Sequence, residues 1–308
     1  MNILHLKYAV EVAKTGSINK AAQNLYIGQP NLSRAVKELE KELDITIFKR
    51  SAKGMVPTPE GEEFLNYAVS ILKQIDSVEA IYKSGKTAKH RFSISVPRAS
   101  YIAEAFAKFT KTVDKDYSYE FFYKETNAMR AVKNILQSDY TLGIIRYFQN
   151  YDRYFKDMLE EKGLSYELVT EFKYRLIMSK DHPLANKESI SYKDLENYTE
   201  IAHGDPYVPS LPFSAVLKEE SQDNPKNKIF VFERASQFEL LSENTDTFMW
   251  VSPIPSELLS RYGLVQKSSN DNTRVYKDVL IYRNDYKLSD TDRAFITELC
   301  NSKRKYIG

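Results

Sequence analysis

Apolar residues recur every three or four positions through the first 43 residues, which is the spacing of amphipathic α-helices. Gly16 ends the first of these segments, and Ser17 is a good N-cap for the second. A tight turn follows, in which we expect Gly28 to take a positive φ, and Pro30 lies in the first turn of a third helix. This order of short helices and tight turns predicts a helix-turn-helix over about 18–37.

The pattern changes between residues 45 and 58. Two short apolar runs flank the basic segment KRSAKG, in which Gly54 favours a turn. This arrangement predicts a two-stranded wing with a basic tip. Residues 1–58 are therefore predicted to form a winged helix-turn-helix domain.

Thr58 precedes a long stretch with heptad spacing, which predicts a linker helix and hinge over 59–90. No other predicted helix of the first domain is left to cover its apolar stripe. We therefore interpret the stripe as a dimerisation seam; packing against its own domain is the alternative. The residues of the seam are Phe64, Ala68, Ile71, Ile75, Val78 and Tyr82.

From residue 91 onward, short apolar strands alternate with helices. This alternation predicts an α/β module with parallel sheets and helices on both faces. The predicted fold class is thus multi-domain: an all-α winged helix-turn-helix and long linker helix, followed by an α/β module over 91–308.

Composition is that of an ordinary globular protein, with 42% hydrophobic and 28% charged residues. The net charge is only +2, but residues 1–91 hold 14 Lys and Arg against 10 Asp and Glu. The single cysteine, Cys300, excludes an intramolecular disulfide and a cysteine-rich zinc site. The chain shows no signal peptide and no apolar run long enough to span a membrane, so we expect a cytoplasmic protein.

Motifs for catalysis or metal binding are weak. Ser84-Gly85-Lys86-Thr87 is similar to the end of a phosphate-binding loop, but Ala80 stands where a glycine is needed. The four histidines do not show metal-ligand spacing. We therefore predict no enzyme activity, no cofactor and no metal site; the alternative is an α/β enzyme that carries an accessory domain.

Several stretches together resemble the LysR-type transcriptional regulators. They are AAQNLYIGQPNLSR over 21–34, the pair Leu39-Glu40, Leu43, and the run IFKR over 47–50. The resemblance implies a winged helix-turn-helix, a linker helix and an effector module of two subdomains, like that of a periplasmic binding protein. Its chain would cross to the second subdomain and return, which places subdomain I at 91–163 and 267–308 and subdomain II at 164–266.

The resemblance also implies partners. They are double-stranded promoter DNA, a small-molecule effector, a second copy of the chain in a homodimer or homotetramer, and RNA polymerase if the protein activates transcription. Some positions depart from the family pattern: Gly28 replaces a usual serine, Pro57 replaces a usual leucine, and the segments 147–162 and 207–228 are unusual. These departures leave open a regulator whose sensor no longer binds a ligand.

Polar residues on the third helix and wing are the candidates for DNA contact. A recognition helix presents its N-terminal residues to base edges in the major groove, where Gln and Asn suit adenine and Arg suits guanine. Basic and hydroxyl groups of the wing suit phosphates. The candidates are Gln29, Pro30, Asn31, Ser33, Arg34, Lys37, Arg50, Lys53 and Thr58.

Effector candidates follow the carboxyl ends of predicted strands, where open α/β sheets bind ligands. Ser100 is expected at a helix N-terminus, where its hydroxyl suits an anion, although a plain N-cap role is the alternative. Arginines nearby favour an anionic effector. The candidates are Arg98, Ser100, Tyr101, Arg146 and His203, and for His203 the alternative is a hydrogen-bonded loop residue.

Overall fold

The computed structural model describes residues 2–51, 54–83, 90–114, 118–137, 139–209 and 227–307. Its contacts divide the chain into two compact units, centred on Met1–Lys89 and on His90–Ile135 with Tyr140–Gly308. In the described ranges, no helix combines the length and apolar character needed to cross a membrane. The predicted fold class is confirmed, since a winged helix-turn-helix and a long helix precede an α/β module.

The first unit contains helices α1 (Ile3–Thr15), α2 (Ile18–Asn24) and α3 (Gln29–Leu43), then strands β1 (Phe48–Ser51) and β2 (Gly54–Pro57), and helix α4 (Pro59–Lys83). Each of the first two helices begins at a side-chain cap: Asn2 accepts from the Leu4 amide, and Ser17 accepts from the Lys20 amide. The helices bury one shared core, which includes Leu6, Ala9, Val12, Ala21, Leu32, Val36 and Leu39.

The turn between α2 and α3 differs from the prediction. The positive φ, 54°, lies at Tyr26, whereas Gly28 has a φ of −67° and is the N-cap of α3. The amide of Ile27 donates to the carbonyl of Ala22, and the Ile27 side chain packs against the core, so the chain turns before Ile27 and the left-handed residue lies two positions before Gly28. Tyr26 itself is 96% exposed.

The two strands β1 and β2 pair antiparallel as the predicted wing. The Glu40 side chain fixes the wing to α3, because its Oε1 accepts from the amides of Ile47 and Phe48 at 2.8 and 3.1 Å. The amide of Met55 donates to the Gly16 carbonyl at 2.8 Å, which ties the wing to the end of α1. The wing therefore has a fixed place beside the helix-turn-helix.

The seam on α4 is partly wrong as a dimerisation surface. Ala68 is fully buried, and Phe64 and Ile71 pack against the core of the first unit. The covering helix is α1, whose apolar face is wide enough to contact both α3 and α4. Val78, in contrast, is 53% exposed, while the side chain of Tyr82 lies outside what the structure describes. Only the C-terminal half of the stripe, with Ile75 and Val78, stays a predicted dimer contact.

The second unit has two lobes. The first lobe contains one sheet in the order β4-β3-β5-β12-β6, formed by β3 (His90–Val96), β4 (Tyr119–Glu125), β5 (Leu142–Phe148), β6 (Leu164–Lys173) and β12 (Val275–Arg283). Its helices are α5 (Ser100–Thr112), α6 (Ala128–Leu136), α7 (Asp152–Glu161) and α11 (Asp290–Tyr306), with a short 3₁₀ helix at Gln149–Tyr151. Phenylalanines fill its core, including Phe92, Phe109 and Phe295.

The second lobe contains a sheet in the order β11-β7-β10-β8-β9. Its strands are β7 (Arg175–Ser179), β8 (Thr199–His203), β9 (Asn227–Val231), β10 (Thr247–Val251) and β11 (Leu264–Lys267). Its helices in the described part of the chain are α8 (Tyr192–Leu195), α9 (Arg234–Glu243) and α10 (Ser256–Arg261). Ile177, Ile201, Phe238 and Leu241 lie in its core.

Two predictions about this unit need correction. Both sheets are mixed, because β12 runs antiparallel to β5 and β6, and β7 runs antiparallel to β10 and β11. The strand that enters the second lobe, β7, and the strand that returns to the first lobe, β12, are the antiparallel ones. Leu164–Lys173 also belongs to the first lobe, since it pairs with β12 along its whole length. The crossover therefore lies at Tyr174 and not at residue 164.

The unusual segment at 147–162 folds as an added helix. Helix α7 buries Phe155, Met158 and Leu159, and the ring of Phe155 stacks on Tyr147 with centroids 4.3 Å apart. The other unusual segment, 207–228, falls largely outside the described residues.

Candidate functional sites

Helix α3 buries one face and leaves the other for a partner. Leu32, Ala35, Val36 and Leu39 are buried, whereas Gln29, Pro30, Asn31, Arg34 and Lys37 are exposed and Ser33 is partly exposed. The first turn of the helix has no acidic residue, and its N-cap Gly28 has no side chain to occupy the free backbone N–H groups. The exposed face therefore offers hydrogen-bond donors and positive charge without a competing carboxylate in the first turn.

Three of the predicted phosphate contacts lie in or next to the wing. Arg50 is exposed on β1, and Lys53 lies outside the described residues. Thr58 is a correction: its hydroxyl donates to the Thr46 carbonyl and accepts from the Gly61 amide at 2.9 Å. It therefore caps α4, and its single proton is not available to a phosphate.

A cleft between the lobes of the second unit encloses a cavity of about 150 Å³. One part of its wall is aromatic, with Tyr147, Phe148, Tyr151, Tyr174, Tyr207 and Tyr276. The other part is polar and includes Arg98, Asn127, Arg146, His203 and Asp205. A cavity of this volume holds a molecule about as large as benzene.

Arg98 joins the two lobes across this cleft. It follows β3 in the first lobe, and its Nη1 lies 2.7 Å from Oδ1 of Asp205 in the second lobe. Its Nη2 donates to the carbonyl of Phe232 at 2.7 Å. Asn127 of the first lobe adds a bond, since its Nδ2 donates to the Asp205 carbonyl at 3.1 Å.

A reciprocal contact runs in the opposite direction. Arg234, at the start of α9 in the second lobe, pairs with Glu125 at 2.9 Å and donates to the Ser100 hydroxyl at 3.3 Å. Burial raises the pKa of Glu125, and the guanidinium groups of Arg234 and Arg98 oppose that rise. Each lobe thus extends one arginine to a carboxylate of the other.

Arg146 is bound within the first lobe. Its Nε and Nη2 donate to the two carboxylate oxygens of Asp278 at 2.7 and 2.6 Å, and Asp278 is fully buried. The hydroxyl of Tyr101 also donates to Asp278, and this side chain is fully buried too. Tyr101 therefore lies beneath the cleft and does not line it, which corrects its assignment as an effector contact.

Ser100 and His203 lie at a second, smaller cavity of about 30 Å³ beside the first. Helix α5 begins at Ser100, with Ala99 as its N-cap, so the hydroxyl does not cap the helix. Two buried atoms there, Nδ1 of His203 and Oε1 of Gln237, lack a protein partner. A space of this size with polar walls holds one water molecule.

The imidazole of His203 is neutral in the folded protein. Burial lowers its pKa to about 3, and Arg98, Arg146 and Arg234 add to this effect, against a backbone interaction with Val231. The unfolded chain binds a proton near pH 6.5. Since the folded state binds that proton only near pH 3, stability is lost as the pH falls from about 6.5 toward 3.

Between pH 7 and pH 5, the free energy of unfolding of the second unit should fall by about 1–2 kcal/mol less in His203→Gln than in the wild type. The difference is measured by urea unfolding of both proteins at the two pH values. Burial also lowers the pKa of His182, but His182 is present in both proteins, so its contribution to the pH dependence cancels in the comparison. Equal losses in the two proteins would contradict the assignment of His203.

The partners of these arginines were not predicted from the sequence. Asp205 lies far from Arg98 in the chain, Asp278 far from Arg146, and Glu125 far from Arg234. Arg98 and Asp205, for example, are 107 positions apart. The sequence offers one weak indication of Asn127, because an Asn before a predicted helix is a common N-cap. Its Oδ1 does accept from the Arg130 amide at 2.9 Å. The rule that selected Arg98, that ligand sites follow the carboxyl ends of strands, also selects the stretch 202–205 that ends at Asp205.

Comparison with known proteins adds to this geometry. Residues 3–62 match the model of the bacterial regulatory helix-turn-helix protein, lysR family. The chain carries a helix-turn-helix domain of the lysR family. The resemblance read from residues 21–50 is thus confirmed, and α1, α2, α3 and the wing are the elements of this LysR-type domain.

The HTH-type transcriptional regulator AlsR of Bacillus subtilis is 28% identical over 202 residues, which cover 64% of this chain and 62% of AlsR. The matched part of the chain therefore spans less than two thirds of that relative. Among solved structures, full-length CbnR complexed with its target DNA has a TM-score of 0.58 at 16% identity, covering 98% of this chain and 100% of CbnR.

The full-length LTTR LysG from Corynebacterium glutamicum, with bound effector Arg, has a TM-score of 0.60 at 12% identity and covers 99% of both chains. At these identities the likeness to CbnR and LysG concerns the fold. The LysR-type domain, long helix and two-lobed module of this chain thus have the architecture of those full-length proteins.

Proposed function

We propose that this protein is a sequence-specific, DNA-binding transcriptional regulator that acts in the cytoplasm as a homodimer or homotetramer. The observation that carries the proposal is the exposed face of α3 within the LysR-type domain. Gln29, Asn31 and Arg34 have the side chains that read adenine and guanine, and Arg50 has one that holds a phosphate. Pro30, Ser33 and Lys37 lie on the same exposed stretch, and Lys53 is proposed on sequence alone.

We further propose that a small-molecule effector binds in the cleft between the lobes and modulates DNA binding. Aromatic walls favour a flat apolar body, and Arg98, Arg146 and Arg234 lower the pKa of His203 by their positive charge. The same charge favours an acidic group on the effector. Arg98, Arg146 and His203, which line the cavity, are its proposed contacts. Ser100, at the smaller cavity beside it, is a further proposed contact.

The experiment is a binding titration of the purified full-length protein against labelled DNA from upstream of its own gene. We expect saturable binding that is at least tenfold tighter than binding to a scrambled duplex and that weakens as salt concentration rises. Equal affinity for both duplexes at moderate salt would reject the regulator. The effector is tested separately, by the rise in melting temperature that small acids cause.

A further inference from the structure

Asp205 and Arg98 face the cleft together. Both line the cavity, their ion pair is 2.7 Å long, and each side chain is 12% exposed. A carboxylate of the protein therefore already occupies a cationic group that an acidic effector would need. The Asp205 carboxylate thus binds Arg98 as the acidic group of an effector would, although it belongs to the opposite lobe of the protein.

We propose that Asp205 is the specificity-determining residue of the cleft: the acidic group of an effector takes the place of the Asp205 carboxylate on Arg98. This inference rests on the proposed effector function. Only an anion replaces a carboxylate on a guanidinium without leaving the charge unpaired in a partly buried site. The exchange therefore selects charged acids over their neutral analogues.

Hydrogen bonds fix the backbone on both sides of Asp205, so its side chain can leave Arg98 without a movement of the loop. The amide of Gly204 donates to the Val231 carbonyl at 2.8 Å, and a Cβ at this position would lie 2.6 Å from the Phe232 ring. Asn127 holds the Asp205 carbonyl from the other lobe. The loop thus stays in place when the carboxylate turns away from Arg98.

A second cation stands beside the carboxylate. Nη1 of Arg130 lies 3.7 Å from Oδ2 of Asp205, and the Arg130 side chain is 67% exposed. A displaced carboxylate therefore turns toward Arg130 and solvent, which lowers the free-energy cost of the exchange. The exchange removes the Arg98–Asp205 ion pair. It leaves the bond from Asn127 to the Asp205 carbonyl, the bond from Arg98 to the Phe232 carbonyl and the reciprocal pair of Arg234 and Glu125, so effector binding changes which contacts join the lobes.

The test is the affinity of full-length protein for benzoate and benzamide, measured by calorimetry at constant ionic strength. We expect Asp205→Asn to bind benzoate about tenfold more tightly than the wild type, because the internal competitor is gone. Benzamide affinity should not change. Glu200→Gln is the matched control: it alters a buried acid of the same lobe, paired with Lys228 at 3.2 Å away from the cleft, and should leave both affinities unchanged.

A gain of affinity on removal of a cleft residue is not produced by misfolding, so it supports exchange directly. Unchanged or weaker benzoate binding by Asp205→Asn overturns the inference. An equal gain in Glu125→Gln also overturns it, since general loosening of the lobes would then suffice. Benzoate binding by the wild type without a gain in Asp205→Asn spares the proposed function, whereas failure of benzoate, acetate and inorganic phosphate to bind either protein rejects the effector proposal as well.

Discussion

Arg146→Met should lower the free energy of unfolding of the second unit by about 3–5 kcal/mol. The substitution leaves Asp278 as a fully buried carboxylate without its bidentate guanidinium partner. The Tyr101 hydroxyl remains as a donor, but one neutral hydrogen bond does not replace a cation. The rings of Phe172 and Tyr174, which lie 4.7 and 5.9 Å from the guanidinium carbon, lose their cation as well.

The measurement is urea unfolding of the full chain, followed by near-UV circular dichroism. Arg153→Met is the matched control, because that side chain is 94% exposed beside Asp157 and its loss should cost less than about 0.5 kcal/mol. Adding Asp278→Asn to Arg146→Met should recover part of the stability by removing the uncompensated charge. A change below about 1 kcal/mol in Arg146→Met would show that the pair is not structural.

Arg34→Ala should weaken binding to the upstream DNA fragment by about 10–100-fold and reduce the preference over scrambled duplex. The guanidinium is exposed on α3, two positions before the buried Val36, and no acidic residue lies in the first turn of that helix. Removing a side chain that reads a base weakens binding to the matched sequence more than binding to the scrambled one. Fluorescence anisotropy at fixed salt measures both affinities.

Lys41→Ala is the control on the same helix. Lys41 is also exposed and basic, but it lies in the last turn of α3, distant from the end that enters a groove. Its removal should change both affinities by less than about threefold, as expected for a charge that does not touch a base. If Arg34→Ala keeps the wild-type preference between the two duplexes, Arg34 does not read a base.

Local sequence was enough to predict the helix-turn-helix, the wing and the long helix of the first unit. Capping residues, tight turns and apolar periodicity act over a few positions, so Ser17, Pro30 and Gly54 mark where elements begin or turn. The same reasoning placed Arg98, Ser100, Arg146 and His203 at the ends of strands, which the structure brings to neighbouring cavities. It failed at Thr58 and Tyr101, because their hydroxyl partners come from other elements.

The apolar stripe of α4 shows a second limit of prediction from sequence. Its heptad spacing is visible in the sequence, but the sequence does not say which surface covers an apolar stripe. Phe64, Ala68 and Ile71 lie in the core of the first unit, so the spacing reports burial in general, and dimerisation stays a prediction only for the part near Val78.

The sequence by itself determined that a LysR-type helix-turn-helix precedes a long helix and an α/β module, because each of these elements is specified by residues close together in the chain. Only the tertiary structure decided how the charges pair. Arg98 with Asp205, Arg234 with Glu125 and Arg146 with Asp278 join residues far apart in sequence. The sequence around a charged side chain does not identify its ion-pair partner. Burial, which makes such a pair strong, exists only after the chain has folded.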